Sequence, residues 1–119
     1  MKVKDFKMYS EISETPDVFS RLINSEAQFQ QVAEKIKARN ISNVIILARG
    51  TSDNAGHYLK FLIEVKLGLP VGLASPSSVS IYGAKVDFKN TLVVALSQSG
   101  KSPDLLAFAS ASKEGGALL

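Results

Sequence analysis

Two short segments of the sequence carry hydroxyl side chains around a glycine, a pattern that can bind a phosphate group. The first is Arg-Gly-Thr-Ser at residues 49–52, and the second is Ser-Gln-Ser-Gly-Lys-Ser at residues 97–102. Glycine lets a backbone approach a ligand closely, while hydroxyls and the unpaired N–H groups of a helix start favour an anion. One such segment is a weak signal, but two in a short chain predict a phosphate site.

Each segment follows an apolar strand and precedes a helix. Residues 44–48 and 91–96 are continuous apolar runs rich in β-branched residues, typical of strands buried on both faces of a parallel sheet. Helices are expected over residues 53–67 and 103–112, with a further strand over 71–74. Because open α/β sheets bind ligands at the carboxyl ends of their strands, we expect the two segments to lie side by side.

This alternation predicts an α/β fold, a three-layer sandwich with a parallel, flavodoxin- or Rossmann-like sheet between helices. Earlier helices are expected over residues 16–23 and from a capping box at Ser25 and Gln28 to about Asn40. Residues 1–15 are expected to form a loosely ordered extension. Residues 117–119 resemble the opening of a fourth strand, so residues 16–119 are expected to be the N-terminal part of a truncated domain.

Simpler roles exist for the same residues. Ser52 and Ser102 have the spacing of helix N-caps, and Gly50 and Gly100 can serve tight turns alone. Neither segment has the Walker pattern or the G-x-G-x-x-G fingerprint, which disfavours nucleotide binding.

Charged residues near the two segments have structural alternatives too. His57 and Glu64 share a helix face and could form a proton-transfer pair, although a structural or solvated role is the more common one. Arg49 and Lys101 could strengthen a phosphate site or be ordinary exposed cations. Asp104 is expected to complement the dipole of the helix it opens.

Composition excludes several classes of protein. The 119 residues include no Cys and one His, which excludes disulfide scaffolds, thiol chemistry and a histidine-rich metal site. The net charge of +3 comes from scattered residues without a basic stripe, so no nucleic-acid partner is expected. Neither a bilayer-spanning apolar run nor a signal peptide is visible, so we expect no membrane association and a cytoplasmic location.

Residues 48–55 (Ala-Arg-Gly-Thr-Ser-Asp-Asn-Ala) and 96–104 (Leu-Ser-Gln-Ser-Gly-Lys-Ser-Pro-Asp) resemble the sugar isomerase (SIS) domain family, and the resemblance extends over most of residues 12–119. It implies a parallel sheet sandwiched by helices. It also implies two sets of site residues. Those that would hold the substrate phosphate are Ser97, Gln98, Ser99 and Ser102. Those that would contact the substrate from the first turn are Gly50, Thr51 and Ser52.

Within this family the chain is most similar to the isomerase half of glucosamine-6-phosphate synthases and to glutaminase-free glucosamine-6-phosphate deaminases. The resemblance implies an enzyme that isomerises, deaminates or aminates hexose phosphates of the glucosamine 6-phosphate and fructose 6-phosphate class. The family's catalytic Glu, Lys and His have no counterparts before Leu119, so no catalytic residue is assigned and the chain alone is not expected to be active. No glutaminase segment, metal or organic cofactor is implied.

The expected partners are a sugar phosphate and either a second copy or a second SIS domain. Two alternatives stay open. One is a sugar-phosphate sensor that binds without turnover, and the other is a single-SIS aldose-ketose isomerase that uses His57 and Glu64 directly.

Overall fold

The computed structural model describes residues 3–119, and these divide into two compact units, which we call the N-terminal unit (residues 3–35) and the sheet unit (residues 36–119). A 3-10 helix over Val3–Asp5 is followed by helices α1 (Lys7–Ser13), α2 (Thr15–Ile23) and α3 (Glu26–Lys37). No side chain among residues 3–35 is buried.

The helix predicted over residues 16–23 is confirmed by α2, but the expectation of loose order before it is wrong. The helical hydrogen bonds continue through Glu14, whose N–H donates to Ser10 O at 3.0 Å and whose carbonyl accepts from Val18 N at 3.1 Å. The capping box does not form either. The Ser25 hydroxyl donates to Arg21 O at 2.8 Å, because the connection between α2 and α3 is short enough for the preceding turn to offer an acceptor.

The sheet contains three parallel strands, β1 (Asn43–Ala48), β2 (Val71–Leu73) and β3 (Thr91–Leu96), in the order β2-β1-β3. Val44 in the central strand lies opposite Val71 on one side and Leu92 on the other. Leu118 extends the sheet beyond β3, since its N–H donates to Thr91 O at 2.9 Å and its carbonyl accepts from Val93 N at 2.8 Å. The predicted start of further strand pairing at residues 117–119 is therefore confirmed at Leu118.

Helices cover both faces of this sheet. Helix α4 (Thr51–Leu67) joins β1 to β2, α5 (Pro76–Ser80) lies between β2 and β3, and α6 (Pro103–Glu114) follows β3. Because successive strand residues point to opposite faces, β1 contributes to two apolar clusters. Val44 and Ile46 pack with Ile63 of α4, whereas Leu47 packs in a second cluster with Phe88 and Phe108. The predicted α/β fold with a parallel sheet between helices is confirmed.

The strand order matters for function because it brings the carboxyl ends of β1 and β3 next to each other. The chain leaves β1 toward β2 on one side, and β3 returns on the other side. In flavodoxin-like sheets this change of direction opens a crevice, and ligands bind in it.

Candidate functional site

The turn after β1 is formed by Arg49 and Gly50, and α4 begins at Thr51. Gly50 has φ +59° and ψ −134°, a backbone region that favours glycine, and it occupies the N-cap position. Its carbonyl accepts a hydrogen bond from Asp53 N at 3.1 Å. Ser52 thus lies inside the first turn of α4. The alternative that Ser52 is the N-cap of this helix is wrong, because Gly50 holds that position.

In the turn after β3, two serine hydroxyls accept hydrogen bonds from backbone N–H groups of the same turn. Ser97 Oγ accepts from Gly100 N at 2.9 Å, and Ser99 Oγ accepts from Lys101 N at 3.3 Å. A hydroxyl oxygen that accepts from the backbone still has its proton to donate. Gly100, with φ +64°, makes the turn that brings these backbone N–H groups to the hydroxyls. Both hydroxyls therefore keep a proton that they can donate to an anion.

Ser102 is the N-cap residue of α6, but its side chain makes no capping hydrogen bond. The carbonyl of Ser102 accepts from Leu106 N at 3.0 Å, so the backbone begins the helix without help from the hydroxyl. Ser102 therefore occupies the N-cap position that was predicted for it, but its side chain does not cap the helix. The hydroxyl lies at a helix N-terminus, where unpaired N–H groups and the helix dipole attract an anion.

The two turns enclose a cavity of about 200 Å³ at the carboxyl edge of the sheet. Six of the seven residues predicted to bind substrate line it: Thr51, Ser52, Ser97, Gln98, Ser99 and Ser102. Gly50 does not line the cavity and shapes the turn instead. Three further residues, Arg49, Leu96 and Leu105, also line the cavity. The sequence predicts Arg49 only as one of two cations that could strengthen a phosphate site, and it assigns no binding role to Leu96 or Leu105. Arg49 directly precedes Gly50 in the predicted turn, and that position was the available signal.

An ion pair connects the turn after β1 to the first turn of α6. Arg49 Nη2 lies 3.2 Å from Asp104 Oδ2, and Asp104 Oδ1 accepts a hydrogen bond from Leu105 N at 3.0 Å. Asp104 was expected only to complement the dipole of α6. In the structure its carboxylate also holds the guanidinium that follows β1.

A larger cavity of about 360 Å³ lies at the opposite edge of the sheet, where β1 and β3 begin. Arg39 and Lys89 line it, and Arg39 donates to Gly116 O at 3.5 Å. Among the residues that line this cavity, none begins a helix and only Thr91 has a hydroxyl side chain. The smaller cavity is the better candidate because its chemistry matches an anion.

Comparisons with known proteins identify relatives that are much longer than this chain. A glutamine--fructose-6-phosphate aminotransferase (isomerizing) from Chlamydia muridarum is 32% identical over 107 residues, covering 87% of this chain and 18% of the relative. A protein of the same name from Acinetobacter baylyi is 36% identical over 107 residues, covering 84% of this chain and 17% of the relative. The chain therefore spans less than a fifth of the length of the curated relatives it matches. No family model matches it.

Two solved structures are similar to this chain over most of its length. A candidate phosphosugar isomerase from Silicibacter pomeroyi superimposes with a TM-score of 0.85 at 40% identity, covering 91% of this chain and 33% of that one. The chain belongs to the SIS domain family. The C-terminal domain of glucosamine-fructose-6-phosphate aminotransferase from Francisella tularensis has a TM-score of 0.73 at 28% identity, covering 98% of this chain and 35% of that one. The resemblance inferred from residues 48–55 and 96–104 is confirmed.

In this SIS domain the structure gives His57 and Glu64 separate partners. His57 Nδ1 lies 2.9 Å from the carbonyl oxygen of Asp53 and 3.9 Å from its carboxylate. Glu64 is paired with Lys60, whose hydrogen bond lowers the pKa of the Glu64 carboxyl. Neither His57 nor Glu64 lines the cavity between the two turns. The geometry therefore gives no support to an isomerase that uses these two residues as an acid-base pair.

Within residues 3–119 of the SIS domain, no group of three or more His, Asp or Glu residues could hold a metal ion. The same part of the chain contains no helix with the length and apolar character needed to cross a membrane.

Proposed function

We propose that this SIS domain binds a hexose phosphate of the glucosamine 6-phosphate and fructose 6-phosphate class, with its phosphate in the cavity between the two turns. The observation that carries the proposal is the convergence of the hydroxyls of Ser97, Ser99 and Ser102 on one cavity at the N-terminus of α6. Hydroxyl and backbone donors bind a phosphate dianion without needing a metal ion.

The names of the relatives support the choice of substrate. They are called fructose-6-phosphate aminotransferases and a candidate phosphosugar isomerase, and these names have phosphorylated sugars in common. We propose that the whole protein isomerises, deaminates or aminates such a sugar. In that reaction the cavity would anchor the phosphate, so that the reacting carbons lie at a fixed distance from it. The groups that transfer protons would come from outside the residues described above.

Calorimetric titration of the 119-residue chain with glucosamine 6-phosphate, fructose 6-phosphate and unphosphorylated glucosamine tests the proposal. We expect binding of the two phosphates and none of glucosamine. A variant with both Ser97→Ala and Ser99→Ala should bind at least about a hundredfold more weakly, because each hydrogen bond to a charged group contributes about 1.5–3 kcal/mol and two are lost.

Ser110→Ala is the matched control for the serine variants. Ser110 lies on the exposed side of α6, where its hydroxyl donates to Glu114 at 3.1 Å, and it does not line the cavity. Its replacement should leave binding unchanged. If the folded chain does not bind either phosphate, or if the double serine variant binds as tightly as the original chain, the proposal is wrong.

A further inference from the structure

Arg49 is the charged residue among those that line the cavity between the two turns. The other lining residues are hydroxyl-bearing, amide or apolar. A sugar phosphate carries a charge of about −1.5 to −2 at pH 7. Helix N-termini contribute only partial positive charges of about +0.5 each. The cavity therefore has many donors for a dianion but one residue with a full opposite charge.

The guanidinium of Arg49 is held in place from one side. It contacts Asp104 at 3.2 Å, and Asp104 is itself fixed by the hydrogen bond from Leu105 N at 3.0 Å. The side chain of Asp104 is 29% exposed and does not line the cavity, whereas Arg49 does. A guanidinium has five N–H donors in a planar fork, so the contact to Asp104 leaves donors that can reach a ligand.

We propose that Arg49 is a phosphate-binding residue of this cavity and that Asp104 is its positioning residue. This inference rests on the proposed function and adds a cation to a site otherwise built from hydroxyl and backbone donors. The guanidinium donates charge-assisted hydrogen bonds to the phosphate oxygens, while the Asp104 carboxylate keeps the planar group oriented. The ligand class that follows is a dianionic phosphate monoester rather than a neutral sugar.

Titration of the 119-residue chain with glucosamine 6-phosphate and with inorganic phosphate measures the contribution of Arg49. Arg49→Ala should weaken binding of both ligands about tenfold or more, and Arg49→Lys should recover part of that loss by restoring the charge without the fork. The affinity of the Arg49→Ala variant should also depend less on salt concentration, since screening acts on the missing charge.

Lys101→Ala is the matched control for loss of one positive charge. Lys101 is exposed, belongs to the turn after β3 and does not line the cavity, and its hydrogen bond to Ser99 comes from the backbone. Its replacement should change the affinity by less than about twofold, because Lys101 does not line the cavity and a solvated charge without contact to the ligand is largely screened. Equal losses from Lys101→Ala and Arg49→Ala would overturn the inference, since the effect would then be general charge and not contact.

Asp104→Asn separates positioning from simple electrostatics. Removing a negative charge near an anion site would tighten binding if Asp104 acted only by repulsion. A positioning role predicts the opposite, a loss of about threefold to tenfold. Asp104→Glu should recover part of it. In the Arg49→Ala background, Asp104→Asn should have almost no further effect, because a residue that acts through Arg49 has nothing left to orient.

The results distinguish this inference from the proposed function. Retained affinity in Arg49→Ala, together with loss in the double serine variant, overturns the role of Arg49 and leaves the phosphate site intact. Tighter binding by Asp104→Asn overturns the positioning role. Absence of phosphate-dependent binding by the folded original chain overturns both proposals. Circular dichroism establishes that each variant is folded, and Arg49→Lys provides the comparison if Arg49→Ala does not fold.

Discussion

The N-terminal unit and the sheet unit both form regular helices, but they differ in what their side chains do. In α2 and α3, apolar residues such as Phe19 and Phe29 are 61% and 56% exposed. In the sheet unit, Phe88 and Leu47 are 2% and 0% exposed and belong to a packed cluster. Local hydrogen bonds alone leave short helices marginally stable in water, and most helical stability in proteins comes from the burial of an apolar face. The candidate site lies in the unit that has such burial.

The largest expected effect is on the free energy of unfolding when a buried aromatic ring is removed. Phe88 packs against Phe108 with ring centroids 5.6 Å apart. Phe88→Ala should lower the stability by about 3–5 kcal/mol in equilibrium urea denaturation, since it leaves a cavity in the core. If that variant is unfolded, Phe88→Leu, with a smaller loss, supplies a measurable midpoint.

Phe29→Ala in α3 is the control for the same substitution in the other unit. Its ring is exposed, so the change should stay within about 0.5 kcal/mol. Similar losses from both alanine variants would break the comparison, because they would mean that the face of α3 is buried in solution.

A smaller effect is expected where α4 approaches the sheet most closely. A Cβ on Gly56 would lie 2.9 Å from Ile46 Cγ2, a buried and β-branched side chain that has little room to move. Overpacking costs about 1–3 kcal/mol, and the better helix propensity of alanine offsets about 1 kcal/mol of it. Gly56→Ala should therefore destabilise the chain by about 1 kcal/mol and at most about 2 kcal/mol, as measured by thermal or chemical unfolding.

The control for this substitution is Gly72→Ala in β2. A Cβ at Gly72 would meet no heavy atom within 4 Å, so its stability should change by less than about 0.5 kcal/mol. A stable Gly56→Ala variant would show that the contact between α4 and β1 is looser than the structure has it.

The smallest effect on the free energy of unfolding is expected from the hydrogen bond that joins α4 to the edge strand β2. Lys60 Nζ donates to Val71 O at 2.9 Å and also pairs with Glu64. Lys60→Met should lower stability by about 1 kcal/mol through loss of the hydrogen bond to the strand. Lys7→Met is the matched control, because Lys7 pairs at 3.9 Å with Glu11 in its own helix and is 89% exposed. If Lys60→Met and Lys7→Met lower the free energy of unfolding equally, the hydrogen bond from Lys60 to the strand does not stabilise the sheet unit more than a surface ion pair stabilises the N-terminal unit.

The same substitution has a pH signature. The hydrogen bond from Lys60 and the positive charge of Lys60 lower the pKa of Glu64 in the folded chain, against a smaller desolvation effect that raises it. A lowered pKa stabilises the fold at a pH above the unfolded pKa, and this contribution is lost as the pH falls through the folded pKa. An NMR titration of the Glu64 carboxyl should show its pKa rising toward the ordinary value in Lys60→Met. An unchanged pKa would contradict the pairing.

Much of the local structure could be predicted from periodicity and turn chemistry. The strand over residues 91–96 has the predicted limits, the helix predicted over residues 16–23 begins one residue earlier, and the helix after the first turn begins two residues earlier than predicted. Residues 7–13 were missed because their helix depends on hydrogen bonds that continue into α2, a feature with no strong apolar period of its own.

For the site, the hydroxyl-rich turns could be recognised because their residue types are themselves the chemistry. The partners of charged side chains could not. His57 and Glu64 share a helix face by spacing, yet each contacts a nearer neighbour, Asp53 or Lys60. Arg49 meets Asp104, which lies far away along the chain. Such pairings depend on distances in space, and periodicity reports only distances along one element.

The sequence by itself determined where the strands and turns lie, which hydroxyls surround each glycine, and that the two turns open helices. Those features depend on residues close together in the chain, whose sterics and hydrogen bonds act locally. Only the tertiary structure decided that β1 and β3 are paired strands, which residues of the two turns line one cavity, and that Arg49 pairs with Asp104 at the start of α6. The reason is that strand order and ion pairing come from long-range contacts, which the chain makes only when its core closes.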